Sequence, residues 1–174
     1  LLTGAYDYIS KPFNTRLLIA RCNNLVNSRI ILQEKFSKQP QATPQMLATN
    51  LMDKEILDKA LSIIEEHLDD TEFNINAFAK EMGMARTNLF TKLKAITGQT
   101  PNEFILSIRL KKGAWMLRNN PELNIGEISD RIGFSSSRYF SKCFKDMYNI
   151  NPLAYRKGDG ANKDEDDKEE EKQS

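Results

Sequence analysis

The stretch "IGEISDRIGFSSSRYFSKCFKDMYNINPLAYR", Ile125 to Arg156, decides the fold because the chain carries its pattern twice. Shifted by 50 residues, "INAFAKEMGMARTNLFTKLKAITGQTPNEF" from Ile75 falls into line with it. Ile75 meets Ile125, Phe78 meets Ile128, Met82 meets Ile132 and Gly83 meets Gly133. The same register sets Leu89 on Tyr139, Phe90 on Phe140, Lys92 on Lys142 and Leu93 on Cys143, until one inserted residue moves Pro101 onto Pro152. A repeat of this length means one supersecondary unit used twice.

Each copy predicts a helix, a tight glycine turn and a second helix. Ile75, Phe78, Ala79 and Met82 form an apolar stripe, Gly83 supplies a turn open to positive φ, and Leu89, Leu93 and Ile96 give the next helix its buried face. The second copy offers Ile125, Ile128 and Ile132, then Gly133, then Tyr139, Phe140, Cys143 and Phe144. Asn124 and Glu127 have capping-box spacing, and Ser135 is expected to cap the following helix; Ala85 has no side-chain acceptor with which to cap. Two helices joined by a glycine turn match the helix-turn-helix pattern, whose second helix enters the DNA major groove.

Between the copies, Thr100, Pro101 and Glu103 start a helix that Asn119, Asn120 and Pro121 close. Its apolar residues fall on two sides: Phe104, Ile108 and Trp115 on one, Leu106, Leu110, Ala114 and Leu117 on the other. Such a helix is expected to be held from both faces, one helix-turn-helix on each. Over residues 101 to 118 it would measure about 27 Å, so the two reading helices are expected about one DNA turn, ~34 Å, apart. The fold class expected is all-α: two helix-turn-helix units joined by a long connecting helix.

The flanks differ from this pattern. "GAYDYISKPF" predicts a short strand at Tyr6 to Ile9, and an apolar-periodic helix follows from about Asn14 to Phe36. Residues 37–52, with "SKQPQATPQ", read as a linker. Asp53 is expected to cap a helix running to about Leu68, with Ile56, Ala60, Ile63, Ile64 and His67 along one side. Residues 158–174 are too charged to pack and read as an acidic disordered tail. The chain begins at Leu1 without methionine, which reads as a piece of something longer.

The net charge of +1 conceals a segregation that points to a partner. Residues 80–157 hold fourteen Lys/Arg against six Asp/Glu, whereas residues 53–79 hold two against eight. A basic block over the repeat is the footprint expected for a polyanion. Cys22 and Cys143 stand far apart with no CxxC or Cys/His cluster, so no structural zinc site or disulfide scaffold is expected. No apolar run is long enough to span a membrane. His67, the single histidine, lies in no serine-histidine-acid or metal-ligand constellation, and neither an enzyme nor a cofactor is expected.

The 125–156 stretch closely resembles the signature of AraC/XylS-type transcription regulators. The residues that carry it are the glycine turn, Phe134, Tyr139-Phe140, Phe144 and the Asn151-Pro152…Tyr155-Arg156 ending. "IRLKKGAWML" is similar to the connecting helix of that family, and the resemblance covers residues 53–157. The segment 1–36 resembles the end of a response-regulator receiver domain, and Lys11 matches the lysine that contacts the phosphorylated aspartate there. Nothing earlier in this chain supplies the aspartate pocket, so Lys11 is not expected to serve a working phosphoacceptor here. Together the resemblances imply the output end of a two-component, phosphorelay regulator, such as a hybrid sensor kinase whose cytoplasmic end carries it. They imply double-stranded DNA, RNA polymerase and the parent's receiver as partners, and a homodimer.

The residues expected at DNA follow from both readings. In the first reading helix these are Arg86, Thr87, Asn88, Thr91 and Lys92, since arginine can pair with guanine and asparagine with adenine. In the second they are Ser136, Ser137, Arg138, Ser141 and Lys142. The resemblance favours Thr87, Thr91, Ser137, Arg138 and Lys142 for the groove. Lys111 and Lys112, and Arg156 with Lys157, are candidates for the phosphate backbone, with a solvated surface as the alternative. Phe134, Tyr139, Phe140, Phe144 and Trp115 read as core, and Cys143 as a small core residue. The alternative function is a protein-interaction module, with Leu17, Leu18, Leu25, Ile30 and Ile31 of the N-terminal helix as its apolar face.

Overall fold

The computed structural model describes Lys11 and residues 14–158; the strand expected at Tyr6 to Ile9 and the acidic tail beyond Gly158 lie outside the described residues. Every regular element among them is helical, as the sequence predicts. In order these are α1 (Thr15–Lys38), a 3-10 turn (Pro44–Leu47), α2 (Leu51–Glu66), α3 (Ile75–Met82), α4 (Arg86–Thr97), α5 (Pro101–Asn119), α6 (Ile125–Arg131), α7 (Ser137–Tyr148) and α8 (Pro152–Lys157). They divide into two compact units. Among the described residues, the first holds those up to Glu66 and Phe73–Ser107, and the second holds His67–Glu72 and those from Ile108 onward.

The first unit is built around aliphatic and phenylalanine side chains. Leu57, Ala60 and Ile64 of α2, Phe78 of α3, and Leu89 and Leu93 of α4 are all buried. Phe36 at the end of α1 is fully buried with its ring 6.1 Å from that of Phe104 in α5. The stretch expected as a linker is therefore a packed strap. Pro44 and Leu47 of the 3-10 turn are buried, and the turn lies against α1, α2 and α4. It escaped the sequence pattern because a single 3-10 turn shows no helical period. Asn50 replaces Asp53 as the cap of α2: its side-chain oxygen accepts from the Asp53 amide at 2.7 Å. The Asp53 carboxylate instead accepts from the Thr49 hydroxyl at 2.6 Å and pairs with Arg29 at 3.3 Å.

Aromatic rings and one guanidinium organise the second unit. Phe134, Phe140, Phe144 and Tyr155 form a chain of contacts with successive ring centroids 5.4, 5.6 and 5.4 Å apart. Arg109, buried, donates to the carbonyl of Gly133 at 3.0 Å and to those of Asp70 and His67 at 2.6 and 3.3 Å. That side chain ties the loop 67–72 to the turn between α6 and α7. Burial lowers its pKa, against the opposing pull of Asp70 and Asp69. The expected capping box at Asn124 and Glu127 is present, and so is one at Thr100 and Glu103. Trp115 departs from expectation: it is 54% exposed, with the Lys112 ammonium 4.9 Å from its ring.

The repeat itself needs a correction of register. The first helices of the two copies start from Asn74 and Asn124, 50 positions apart, and their turns close identically, through Met84 to Ala79 and Phe134 to Ser129, each at 3.0 Å. The second helices, Arg86–Thr97 and Ser137–Tyr148, are 51 apart. Leu89 thus corresponds to Phe140 and Leu93 to Phe144, and all four are fully buried. The inserted residue lies in the turn of the second copy, and the cap of α7 is Ser136, accepting from the Tyr139 amide at 3.2 Å, rather than Ser135. Tyr139, expected in the core, is consequently 51% exposed, and Cys143 is half-buried.

Both turn glycines have positive φ, 69° at Gly83 and 73° at Gly133, but their surroundings differ. A Cβ at Gly133 would lie 2.5 Å from the Leu68 carbonyl oxygen and 2.9 Å from the Arg109 guanidinium carbon, while at Gly83 the nearest atom is 4.0 Å away. Gly83→Ala is expected to cost about 1 kcal/mol, the penalty of the left-handed conformation alone. Gly133→Ala should cost upwards of ~3 kcal/mol, since overpacking against backbone adds to that penalty. Urea denaturation of the two variants checks the difference.

Candidate nucleic-acid interface

In the first unit, burial of Leu89, Leu93 and Ile96 fixes which face of α4 turns outward. Arg86, Thr87, Asn88 and Thr91 are exposed on that face, while Lys92 is half-buried. The Thr91 hydroxyl donates back to the Thr87 carbonyl at 2.9 Å, which holds that side chain against its own helix. Ala85 makes no side-chain cap, so the first amides of α4 have no side-chain acceptor there. Phe90, absent from the sequence-derived set, is exposed on this helix.

In the second unit Phe140 and Phe144 play the part of the leucines. Ser136, Ser137, Arg138 and Lys142 are exposed and Ser141 is half-buried. The corrected register sets Thr87 against Arg138, Thr91 against Lys142, and Asn88 against Tyr139. Sequence reasoning missed Tyr139 because an aromatic beside Phe140 looks like core. Its ring rests on Phe134 at 5.6 Å, and a hydrogen bond involving Cys143 raises its pKa.

The remaining expected positions are less open. Lys111 is half-buried with its ammonium 6.0 Å from the Tyr148 ring, and desolvation lowers its pKa to about 8. Lys112 is half-buried beside Trp115. Arg156 is half-buried and donates to the Leu123 carbonyl at 2.7 Å, and Lys157 is exposed. Lys11 is exposed. Among the described residues, no group of three or more His, Cys, Asp or Glu side chains is arranged to hold a metal ion, and no helix is long and apolar enough to cross a membrane.

Known proteins share this arrangement. A family described as a helix-turn-helix domain matches residues 78–158. The chain is similar to a protein named histidine kinase P4 from Formosa agariphila, 43% identical over 156 residues that cover 90% of this chain and 11% of that protein. It thus spans only a small part of that relative's length. Among solved structures it is similar to the C-terminal domain of AraT, a response regulator from Geobacillus stearothermophilus, with 27% identity and a TM-score of 0.53 over 59% of this chain and 84% of that one. It is also similar to a Chromobacterium violaceum transcriptional regulator described by its AraC-type DNA-binding domain, with 25% identity and a TM-score of 0.57 over 66% of this chain and 99% of that one.

The depressed pKa of Lys111 has a measurable consequence. Folding disfavours its charged form, so between about pH 8 and the ordinary lysine value of 10.5 the unfolded chain binds more protons than the folded one. Stability from this group therefore rises with pH across that window, and its burden is greatest below pH 8. Lys111→Met is expected to be more stable than the parent at pH 7, with the advantage shrinking by pH 10. Urea midpoints at the two pH values check the sign.

Proposed function

We propose that this chain, which carries an AraC-type helix-turn-helix DNA-binding domain, is the output domain of a two-component transcription regulator and reads two successive major-groove segments through α4 and α7. The observation that carries this reading is the pair of equivalent helices, each set behind a glycine turn with positive φ and each turning outward polar side chains able to hydrogen-bond base edges. The basic block over residues 80–157 supports a polyanionic partner.

Residues 53–157 are the DNA-reading part on this reading. In the first unit Arg86, Thr87, Asn88, Thr91 and Lys92 face the duplex, and in the second Ser136, Ser137, Arg138, Ser141 and Lys142. Arg138 and Lys142 are the long donors of the second helix and serve base edges as well as phosphate. Lys112 and Lys157 are better placed for phosphate than Lys111, whose ammonium is more deeply buried. Residues 1–36 are the end of a receiver on this reading, with Lys11 at the position of the lysine that contacts the phosphorylated aspartate.

The relative named as a histidine kinase supports a parent in which sensor, receiver and this output lie in one polypeptide, with this end in the cytoplasm. No catalytic step is assigned to this chain. RNA polymerase, the parent's receiver and a second copy are the protein partners of such a regulator. A second reading, a dimerisation module, is favoured by one observation: Leu17, Ile19, Leu25, Val26, Ile30 and Ile31 of α1 are exposed. Salt separates the two, since phosphate contacts weaken steeply as ionic strength rises and an apolar helix interface does not.

Selection from a random duplex pool near physiological salt tests the reading. The chain should enrich two short blocks about ten base pairs apart. Arg138→Ala should relax preference within one block and weaken that site by roughly tenfold or more, the worth of a bidentate base contact. Failure to enrich any sequence would sink the proposal.

A further inference from the structure

The last turns of α1 are part of the first unit, and they meet the end of its reading helix. Arg29, Gln33, Phe36 and Ser37 lie at helical spacing along one side of α1. Arg29 pairs with Asp53 of α2 at 3.3 Å, Phe36 is fully buried beside Phe104, and the Ser37 hydroxyl accepts from the Gln99 side-chain amide at 3.2 Å. Between them, the Gln33 side-chain amide donates to the carbonyls of Ala95 at 3.2 Å and Ile96 at 3.1 Å. Those carbonyls belong to the last turn of α4, where intrahelical donors run out. Gly98 ends the helix with φ 75°, and a Cβ there would lie 2.9 Å from the Gln33 side-chain oxygen. The bare glycine leaves room for that side chain to lie across the helix end.

We propose that Gln33 is a positioning residue for the first reading helix: it caps the C-terminal end of α4 from a different helix and thereby fixes where Arg86, Thr87, Asn88 and Thr91 stand. The proposal rests on the reading of α4 as a DNA-contacting helix. At its other end α4 has no side-chain cap, so this hold is a polar bond from another helix to its end, adding to the packing of its leucines and of α3 and the 3-10 turn against it. Because α1 continues for more than four turns beyond the clamp, from Thr15, a shift or rotation of α1 reaches the reading helix directly. The segment that resembles a receiver's last helix is then mechanically joined to the DNA-reading surface.

The experiment compares the full chain with Gln33→Met, which keeps length and loses the donor, and Gln33→Lys, whose ammonium can donate to both carbonyls. Affinities are measured on the selected duplex and on two derivatives, each with one block scrambled. The block read by α4 is identified as the one whose preference changes in Asn88→Ala. Gln33→Met is expected to weaken binding to the intact duplex about fivefold, the scale of one or two partly exposed hydrogen bonds. Gln33→Lys should restore most of it. The loss should vanish when the α4 block is scrambled and persist when the other block is. Equal affinity of Gln33→Met and the parent, or a loss of equal size on both scrambled duplexes, overturns the proposal, the latter being what general destabilisation gives. A parent that selects two blocks with Gln33→Met unaltered sinks only this inference, whereas a parent that selects none sinks it together with the DNA-reading function.

Discussion

The carbonyls at the end of an α-helix have no partners within it, and a fold made of short helices has many such ends. Here the helices run from six residues in α8 to 24 in α1, and donors reach their ends from elsewhere in the same unit. In the first unit the Lys59 ammonium bonds the Met82 carbonyl at 3.1 Å, and Gln33 takes the end of α4. In the second, Arg109 gathers carbonyls from the loop 67–72 and from the Gly133 turn, and Arg156 bonds that of Leu123 in the turn leading into α6. A planar guanidinium with five donors suits such a junction, because one side chain can satisfy oxygens from two segments. The cost is a buried cation whose direct partners are neutral, offset by the charge-assisted strength of each bond.

This constraint explains why two copies of one motif differ in composition. Unit one closes on Leu89 and Leu93, unit two on Phe140 and Phe144. The larger rings continue into Phe134 before them and Tyr155 after them, so a contiguous aromatic contact runs from the turn to α8. Phe134 is buried where its counterpart Met84 is half-buried, and the turn of the second copy is one residue longer. The N-cap asparagine of the first helix and the closure of the turn are shared by the copies; the filling between them is not.

Much of this was legible in the sequence. Glycine turns, the capping boxes at Thr100 and Asn124, and the Phe78, Leu89, Ile128 and Phe140 positions follow from local chemistry and a period of 3.6 residues, whereas the caps expected at Asp53 and Ser135 fell to Asn50 and Ser136. The placement of the insertion did not follow. Phe90 over Phe140 and Lys92 over Lys142 look like identities, and only burial reveals that Leu89 and Phe140 share a role. Trp115 misled because it shares its helical spacing with Phe104 and Ile108, which are buried, while it alone of the three is exposed. The strap at Pro44 and Leu47 has no period to detect, and the contacts of Gln33, Arg109 and Arg156 are polar bonds to backbone that no side-chain pattern encodes. These expectations failed where tertiary placement, rather than local propensity, chose the outcome.

The corrected register also makes the two reading helices unequal. Where α7 carries Arg138 and Lys142, α4 carries Thr87 and Thr91. Long cationic side chains reach a base edge or a phosphate over several ångströms and tolerate some error in the position of the helix beneath them. Threonine has no such reach; one of the pair, Thr91, already spends its hydroxyl on the Thr87 carbonyl. If α4 reads DNA as proposed, Thr87 and Thr91 engage it only where the helix backbone comes close, even with Arg86 and Lys92 beside them, so small changes in its tilt alter those contacts more than they would alter those of Arg138 and Lys142. On the proposed reading, a hold on the end of α4 then matters more to recognition than a hold on α7 would. The same proposal makes α4, the helix that Gln33 of α1 holds, the one best fitted to be governed from outside the proposed DNA-reading surface.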